Sequence, residues 1–227
     1  VAPEKRTHSP SLNSPPVVYY PAFLNLRGKK VVVIGGGGIA ERKILGLLKT
    51  GADITVVSPE ITKKIERARL KKQLKHISRV YKKGDLNKAF LVIAATDSAV
   101  TNEKVAKETY CLLNVVDTPK LCNFIVPSTV VRGHLTIAAS TGGVSPAFSK
   151  SIRKEIEKMY GFGFSQYLKS LRKIRAEAMK KIGNKGIRNR FLKSVASEKM
   201  LKMLREKGFK EAEKLAEELF DSVKSGP

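Results

Sequence analysis

The chain has 227 residues, 42 % of them hydrophobic, and a formal net charge of +24 from 44 Lys+Arg against 20 Asp+Glu. That apolar content excludes a chain disordered throughout and suffices for one large core or two small ones; the charge favours polyanionic partners such as nucleic acid, anionic lipid or a polycarboxylate small molecule. Cys111 and Cys122 are too few for a disulfide framework or a zinc ribbon, and no apolar run approaches a membrane span, so the expectation is a cytoplasmic protein with reduced thiols and no membrane partner.

The first 19 residues, rich in proline and serine and lacking an apolar core of a signal, read as a flexible tail. The start at Val1 fits a removed leader and a shortened chain equally. Val31-Val32-Val33-Ile34 then predicts a buried strand over 30–34, which turns on Gly35 to Gly38 into a helix reaching residue 50 and closed by Gly51. Its expected apolar face is Ile39, Ile44, Leu45, Leu47 and Leu48. Gly35, Gly37 and Ala40 fit the G-x-G-x-x-G/A pattern: the first glycine makes the tight turn, the second lets the backbone approach a pyrophosphate, and the small third residue packs helix on strand. The N–H groups of Gly37, Gly38 and Ile39 have no intrahelical partners and would face the phosphates. A purely structural glycine turn is the alternative.

A second strand follows over 53–57, ended by Ser58-Pro59, and a lysine-rich helix over 60–72. A third strand over 76–81, a fourth over 90–96, a helix over 97–110 with Ala99, Val100, Val105 and Ala106 toward the sheet, and a fifth strand over 112–116 complete the series. This alternation predicts an α/β fold, a Rossmann-like doubly wound parallel sheet over 20–116, with ligands beyond the carboxyl ends of the strands. An acid usually stands at the end of the second strand, about 20 residues past the glycines, to bind ribose hydroxyls. Here Ser58, Pro59 and Glu60 occupy it and no arginine awaits a 2′-phosphate, which favours NAD over NADP. Thr96 and Asp97, at the fourth strand's end, would lie near the cofactor, with Asp97 equally explicable as the next helix's N-cap.

Strands over 123–131 and 134–140, joined across Arg132-Gly133, then signal a hairpin. Residues 117–145 are accordingly read as a small β-hairpin dimerisation element and 146–227 as a helical C-terminal domain. Its seams, among them Ile152, Ile156 and Met159, then Leu168, Leu171 and Ile174, then Leu192, Val195 and Leu201, pack either on one another or on a second subunit. Residues 151–227 hold 20 Lys+Arg against 10 Asp+Glu.

Gly35 to Lys43, Ala94-Ala95-Thr96-Asp97, Asn114-Val115-Val116-Asp117, Cys122 to Ser128 and Ser140 to Pro146 occur in one order at compact spacing. Over about residues 20–160 the chain resembles the precorrin-2 dehydrogenase family and the dehydrogenase and ferrochelatase module of siroheme synthase. The resemblance implies NAD-linked oxidation of precorrin-2 to sirohydrochlorin, in some members with ferrous iron inserted as a second substrate, and a homodimer. A basic cleft suits the polycarboxylate tetrapyrrole, with Arg42, Lys43 and Lys120 as candidate cations or, individually, as solvated surface charges.

In the resembling family the aspartate at the place of Asp117 is implicated in catalysis, and a carboxylate there could accept the proton lost as hydride leaves; an Asx turn before Thr118-Pro119 is the alternative. Asn114 and Asn123 could shape the same pocket or be satisfied structural groups. In the second glycine turn, Ser145 suits an N-cap with Pro146 at the first helical position, and amides of Thr141, Gly142 and Gly143 could hold a substrate carboxylate, although capping alone accounts for the motif. Threonine stands at 141 where some family members carry a modified serine. His8, His76 and His134 are dispersed, so no metal ligands are assigned. Two readings compete: an NAD-binding regulatory domain without turnover, and a basic nucleic-acid-binding protein, against which the lack of any RNP, zinc-finger or basic-zipper pattern argues.

Overall fold

The computed structural model describes residues 18–224; the expected tail lies outside them apart from Val18 and Tyr19. The chain divides into two compact units with the boundary between Val126 and Pro127.

The first unit runs β1 (Lys30–Ile34), α1 (Gly38–Leu48), β2 (Asp53–Val57), α2 (Lys63–Leu70), β3 (Lys75–Ile77), β4 (Leu91–Ala94), α3 (Ala99–Glu108) and β5 (Leu112–Val115). The strands form one sheet in the order β3-β2-β1-β4-β5, parallel throughout, with Ile34 opposite Val57 on one side and Ala94 on the other. Every residue of β4 and four of the five in β1 are buried because helices cover both faces, which is why these strands read as continuous apolar runs. Period-two alternation sends Val31, Val33, Ile54, Val56 and Ile93 against Ala40 and Ile44 of α1 and Ile65 and Ala68 of α2. Val32, Ile34, Val92, Leu113 and Val115 pack on the other side with Val105 of α3 and Tyr81. Each such valine or isoleucine contributes about 1.5–3 kcal/mol by burial. Strand order reverses between β1 and β4, and it is outside the carboxyl ends of such a pair that open α/β sheets take their ligands.

Several expected boundaries move. In α1 only Ala40 and Ile44 are buried, while Ile39 and Leu45 are exposed at the surface. Helix α2 begins at Lys63 rather than 60, because Thr62 is the N-cap, its hydroxyl accepting from the Ile65 amide, and residues 58–61 are used to pack over Gly36. Ser98, not Asp97, caps α3, its hydroxyl accepting from the Thr101 amide, which turns Ala99 and Val100 outward. Strand β3 ends at Ile77, since Arg79 pairs in two-pronged fashion with Asp85 (2.8 and 2.7 Å) and the Lys82 amide donates to the same carboxylate, closing a loop.

In the second unit β6 (Ser128–Arg132) and β7 (Leu135–Ala139) form an antiparallel hairpin whose two-residue turn is Gly133-His134, with Gly133 at φ +61°. The strand expected from 123 begins only at Ser128; the segment before it is tied to β5 by asparagine side chains instead. Five helices follow: α4 (Pro146–Met159), α5 (Phe162–Lys181), α6 (Lys185–Ser194), α7 (Glu198–Glu206) and α8 (Phe209–Lys224). Helices α5 to α8 pack on one another around Phe164, Tyr167, Phe191, Val195, Met200 and Leu204, with the Tyr167 hydroxyl donating to the Val195 carbonyl at 2.7 Å. Leu171, Ile174 and Leu192 join this core, whereas Leu201 and Met159 are exposed.

Candidate functional site

The four glycines between β1 and α1 are of two kinds. Gly35 lies at φ +110°, donates its amide to the Val57 carbonyl (2.9 Å), and would drive any side chain into the Ala95 carbonyl. A side chain on Gly36 would run into the Glu60 carbonyl and Ile61, and the Gly36 carbonyl accepts from the Thr62 amide at 3.1 Å. Both are demanded by the chain's own packing. Gly37, the N-cap of α1, and Gly38, its first residue, face open space, with no atom within 4 Å of where a Cβ would sit. Beside them the first-turn amides of α1, Ile39 included, are the unpaired donors of a helix N-terminus. Glu41 in that turn would oppose an anion, but Lys64 of α2 pairs with it at 2.8 Å and, with a hydrogen bond from Thr62, holds its carboxyl below the usual range.

At the end of β2, Ser58 is buried while Pro59 and Glu60 are exposed. The Ser58 amide donates to Ile77 (3.2 Å), and its carbonyl accepts from His76 Nε2 (2.8 Å). Ser78 Oγ donates to the Pro59 carbonyl at 3.1 Å. The Ser58 hydroxyl lies 3.0 Å from the Cβ position of Gly36, so it stands beside the glycine turn. After β4 the loop is locked by Asn102, a buried residue of α3: its Nδ2 donates to the Thr96 carbonyl and its Oδ1 meets the Thr96 hydroxyl, both at 3.0 Å. Thr96 is thus engaged in holding its own loop, and Asp97 is exposed beside it.

After β5 the chain reverses through Asp117, at φ +58°. The turn is closed by the Thr118 amide on the Val115 carbonyl (3.3 Å) and by the 3-10 turn Pro119–Leu121, without the Asp117 side chain; the Asx turn held as an alternative does not form. The carboxylate is exposed. Lys43 of α1 is half-buried near it: desolvation and Arg42 push the Lys43 amine below its ordinary pKa, while Cys122 and Asp117 push it back up. Cys122 accepts from the Val115 amide at 3.2 Å, and burial raises its thiol pKa. Asn114 and Asn123 have their amides occupied, Asn114 Nδ2 on the Phe124 carbonyl (3.2 Å) and Asn123 bridging the Leu113 amide and the Cys111 carbonyl (2.7 Å each). They fasten residues 122–124 to β5.

The second unit carries the other glycine turn. Thr141 Oγ1 donates to the Ser145 carbonyl and accepts from the Ser145 amide, both at 3.0 Å. The Gly142 amide donates to Ser140 Oγ (3.1 Å), that of Val144 to the Thr141 carbonyl (3.1 Å), and Ser145 Oγ caps α4 through the Phe148 amide (3.2 Å). Gly142 and Gly143 are at φ +64° and +93° with nothing within 4 Å.

Sequence reasoning missed Gly36, Asn102 and Ser78, and counted His76 only among dispersed histidines. The pattern could have flagged Gly36, a glycine outside the three fingerprint positions; the others depend on strand register. Among the described residues no group of three or more His, Cys, Asp or Glu is arranged to hold a metal ion, and no helix is long and apolar enough to cross a membrane.

Two family models match: one described as "Putative NAD(P)-binding" over residues 22–128, the other as sirohaem biosynthesis protein central over residues 132–159. A precorrin-2 dehydrogenase from Bacillus subtilis is 38 % identical over 141 residues, 61 % of this chain and 87 % of that protein. Siroheme synthases from Methylobacillus flagellatus and Saccharophagus degradans are 42 % identical over 61 % of the chain and 30 % identical over 90 % of it. The chain spans only 30 % and 45 % of the length of those two. The solved structure of SirC, a precorrin-2 dehydrogenase, superposes with a TM-score of 0.75 at 29 % identity, over 88 % of this chain and all of that one. With its parallel sheet, the glycine turn at the switch point and these matches, the chain belongs to the siroheme synthase and precorrin-2 dehydrogenase family and carries that family's NAD(P)-binding oxidoreductase domain.

Proposed function

We propose that this protein oxidises precorrin-2 to sirohydrochlorin with NAD. The observation that carries the reading is the asymmetry of the first glycine turn: Gly35 and Gly36 are required by packing, whereas Gly37 and Gly38 leave open the space that a pyrophosphate needs at a helix N-terminus. The residues that would hold the dinucleotide are the backbone of Gly35, Gly37, Gly38 and Ile39, then Ser58, Pro59 and Glu60, with Thr96 and Asp97 beyond β4. Bound NAD supplies the acceptor for the hydride that leaves the tetrapyrrole. Glu60 at the ribose corner, with no arginine next to it in the sequence and Arg79 engaged by Asp85, favours NAD over its 2′-phosphorylated form.

Asp117 is the base. Its carboxylate takes no part in closing its own turn and is open to solvent, so it is available for the proton released in the oxidation. The same carboxylate would receive pyrrole N–H protons were ferrous iron inserted as a substrate. Lys43, which interacts with it, and Arg42 adjoining Lys43 supply positive field for substrate carboxylates. Taken by itself, the glycine turn of the second unit offers the Gly143 amide to a carboxylate, the Gly142 amide being held by Ser140 Oγ, while Asn114, Asn123, Thr141 and Ser145 support the local backbone. A second copy of the chain pairing through the β6–β7 hairpin is part of the reading: one face of the hairpin packs on α4 and α5 and buries Val130, while Val131 on the other stays exposed.

The test is anaerobic incubation with precorrin-2 and NAD, with sirohydrochlorin and NADH followed by absorbance. Equimolar formation of the two supports the reading, and NAD binding without conversion supports a regulatory domain instead. Ferrous iron with sirohydrochlorin, beside a metal-only control, tests insertion.

A further inference from the structure

The geometry points to His76 as a positioning residue for the adenosine half of the cofactor, acting through the Ser58 carbonyl; this rests on the dinucleotide reading of the glycine turn. In the parallel pairing of β2 with β3, Val56 stands opposite His76 and Val57 opposite Ile77, and the ladder ends with the Ser58 amide on the Ile77 carbonyl. The next two carbonyls, of Ser58 and Pro59, then lie past the ladder. Pro59 has no N–H, so at Pro59 itself the backbone can be held only through the carbonyl.

His76 of β3 and Ser78, the residue just past its end, do that, the chain turning at Ser78 through the Arg79 amide on the Ile77 carbonyl (2.9 Å). They reach consecutive carbonyls, Ser58 at 2.8 Å and Pro59 at 3.1 Å. A carbonyl only accepts, so the hydrogen in the first bond is assigned to Nε2. With those carbonyls turned toward β3, the remaining polar group of Ser58, its hydroxyl, lies beside Gly36, and the Glu60 carbonyl closes over the same glycine. The Thr62 amide on the Gly36 carbonyl ties the loop down at its far end. His76 therefore sets the orientation of the Ser58–Glu60 corner without touching the ligand. The end of the second strand is where a dinucleotide fold meets the adenosine ribose, so the effect falls on cofactor affinity and leaves the chemical step alone.

The experiment titrates the full chain with NADH and with ADP-ribose, which shares the adenosine half, and measures kcat and the KM for NAD with precorrin-2. His76→Ala is expected to weaken both ligands by the same factor, about three- to tenfold for one lost hydrogen bond, to raise the KM for NAD correspondingly and to leave kcat at saturating NAD unchanged. His76→Gln, whose Nε2 can donate to the same carbonyl, should restore most of the affinity, and Ser78→Ala should show a weaker version of the same effect. Unchanged affinity in His76→Ala, a fall in kcat at saturating NAD, or no recovery in His76→Gln would overturn the proposal. Wild-type protein that binds neither ligand overturns the dinucleotide reading itself, and the positioning role with it.

Discussion

The glycine turn that opens α1 and the one that opens α4 resemble each other in composition and differ in what surrounds them. In the first, two glycines are boxed in by the backbone of Ala95 and Glu60, and the next two face open space. In the second, Gly142 and Gly143 are at positive φ with nothing near them, and their neighbours Thr141 and Ser145 spend their hydroxyls on capping. Glycine thus has three separate settings in one chain: close approach of backbone, open space at a helix N-terminus, which the proposed dinucleotide would fill, and a left-handed backbone. Each setting has its own signature on substitution.

The largest effect belongs to close approach. Gly35→Ala combines φ +110° with a collision against main chain that cannot swing aside, so it should cost about 3 kcal/mol or more and show as a large loss in thermal midpoint or as insoluble protein. Gly37→Ala has neither problem, at φ −76° and in open space. It should leave the midpoint almost unmoved and weaken NADH by about tenfold or more, roughly 1.4 kcal/mol; equal affinity would mean that the open space is not the phosphate site. Gly142→Ala asks only for a left-handed alanine, costing about 1 kcal/mol, with NADH affinity unchanged. A smaller effect again comes from an ion pair away from both turns. Hydrogen bonds from Arg79 hold the Asp85 carboxyl below its ordinary value. A lowered carboxyl stabilises the fold above its unfolded pKa, about 3.9, and loses that contribution as pH falls through the folded value. Asp85→Asn should therefore lower the midpoint by about 2–4 °C at pH 7, and the gap from wild type should shrink below about pH 4.

The strands were legible because a buried parallel sheet writes itself as apolar runs: Val31 to Ile34 and Leu91 to Ala94 were read to within two residues at either end. Gly35, Gly37, Gly38 and Asp117 could be nominated from spacing and resemblance. Less legible was anything decided by tertiary partners. Helix α2 lost its first turn to the packing of residues 58–61 on Gly36, and the strand expected from 123 failed because Asn123 bonds β5 with its side chain, replacing strand pairing. Ile39, Leu45 and Val100 are apolar yet exposed, since helical periodicity locates a face only once the start of the helix is known. His76 carries no motif. Its position opposite Val56 exists only in the register of the folded sheet.

The proposed function divides the labour between a glycine turn that binds and a carboxylate after β5 that reacts. The direct measurement is NADH affinity and precorrin-2 turnover side by side in wild type and Asp117→Asn. NADH affinity is expected to be equal in the two and turnover in Asp117→Asn reduced by about 10²- to 10⁴-fold, the scale of a lost general base. Turnover in Asp117→Asn equal to wild type would contradict that division.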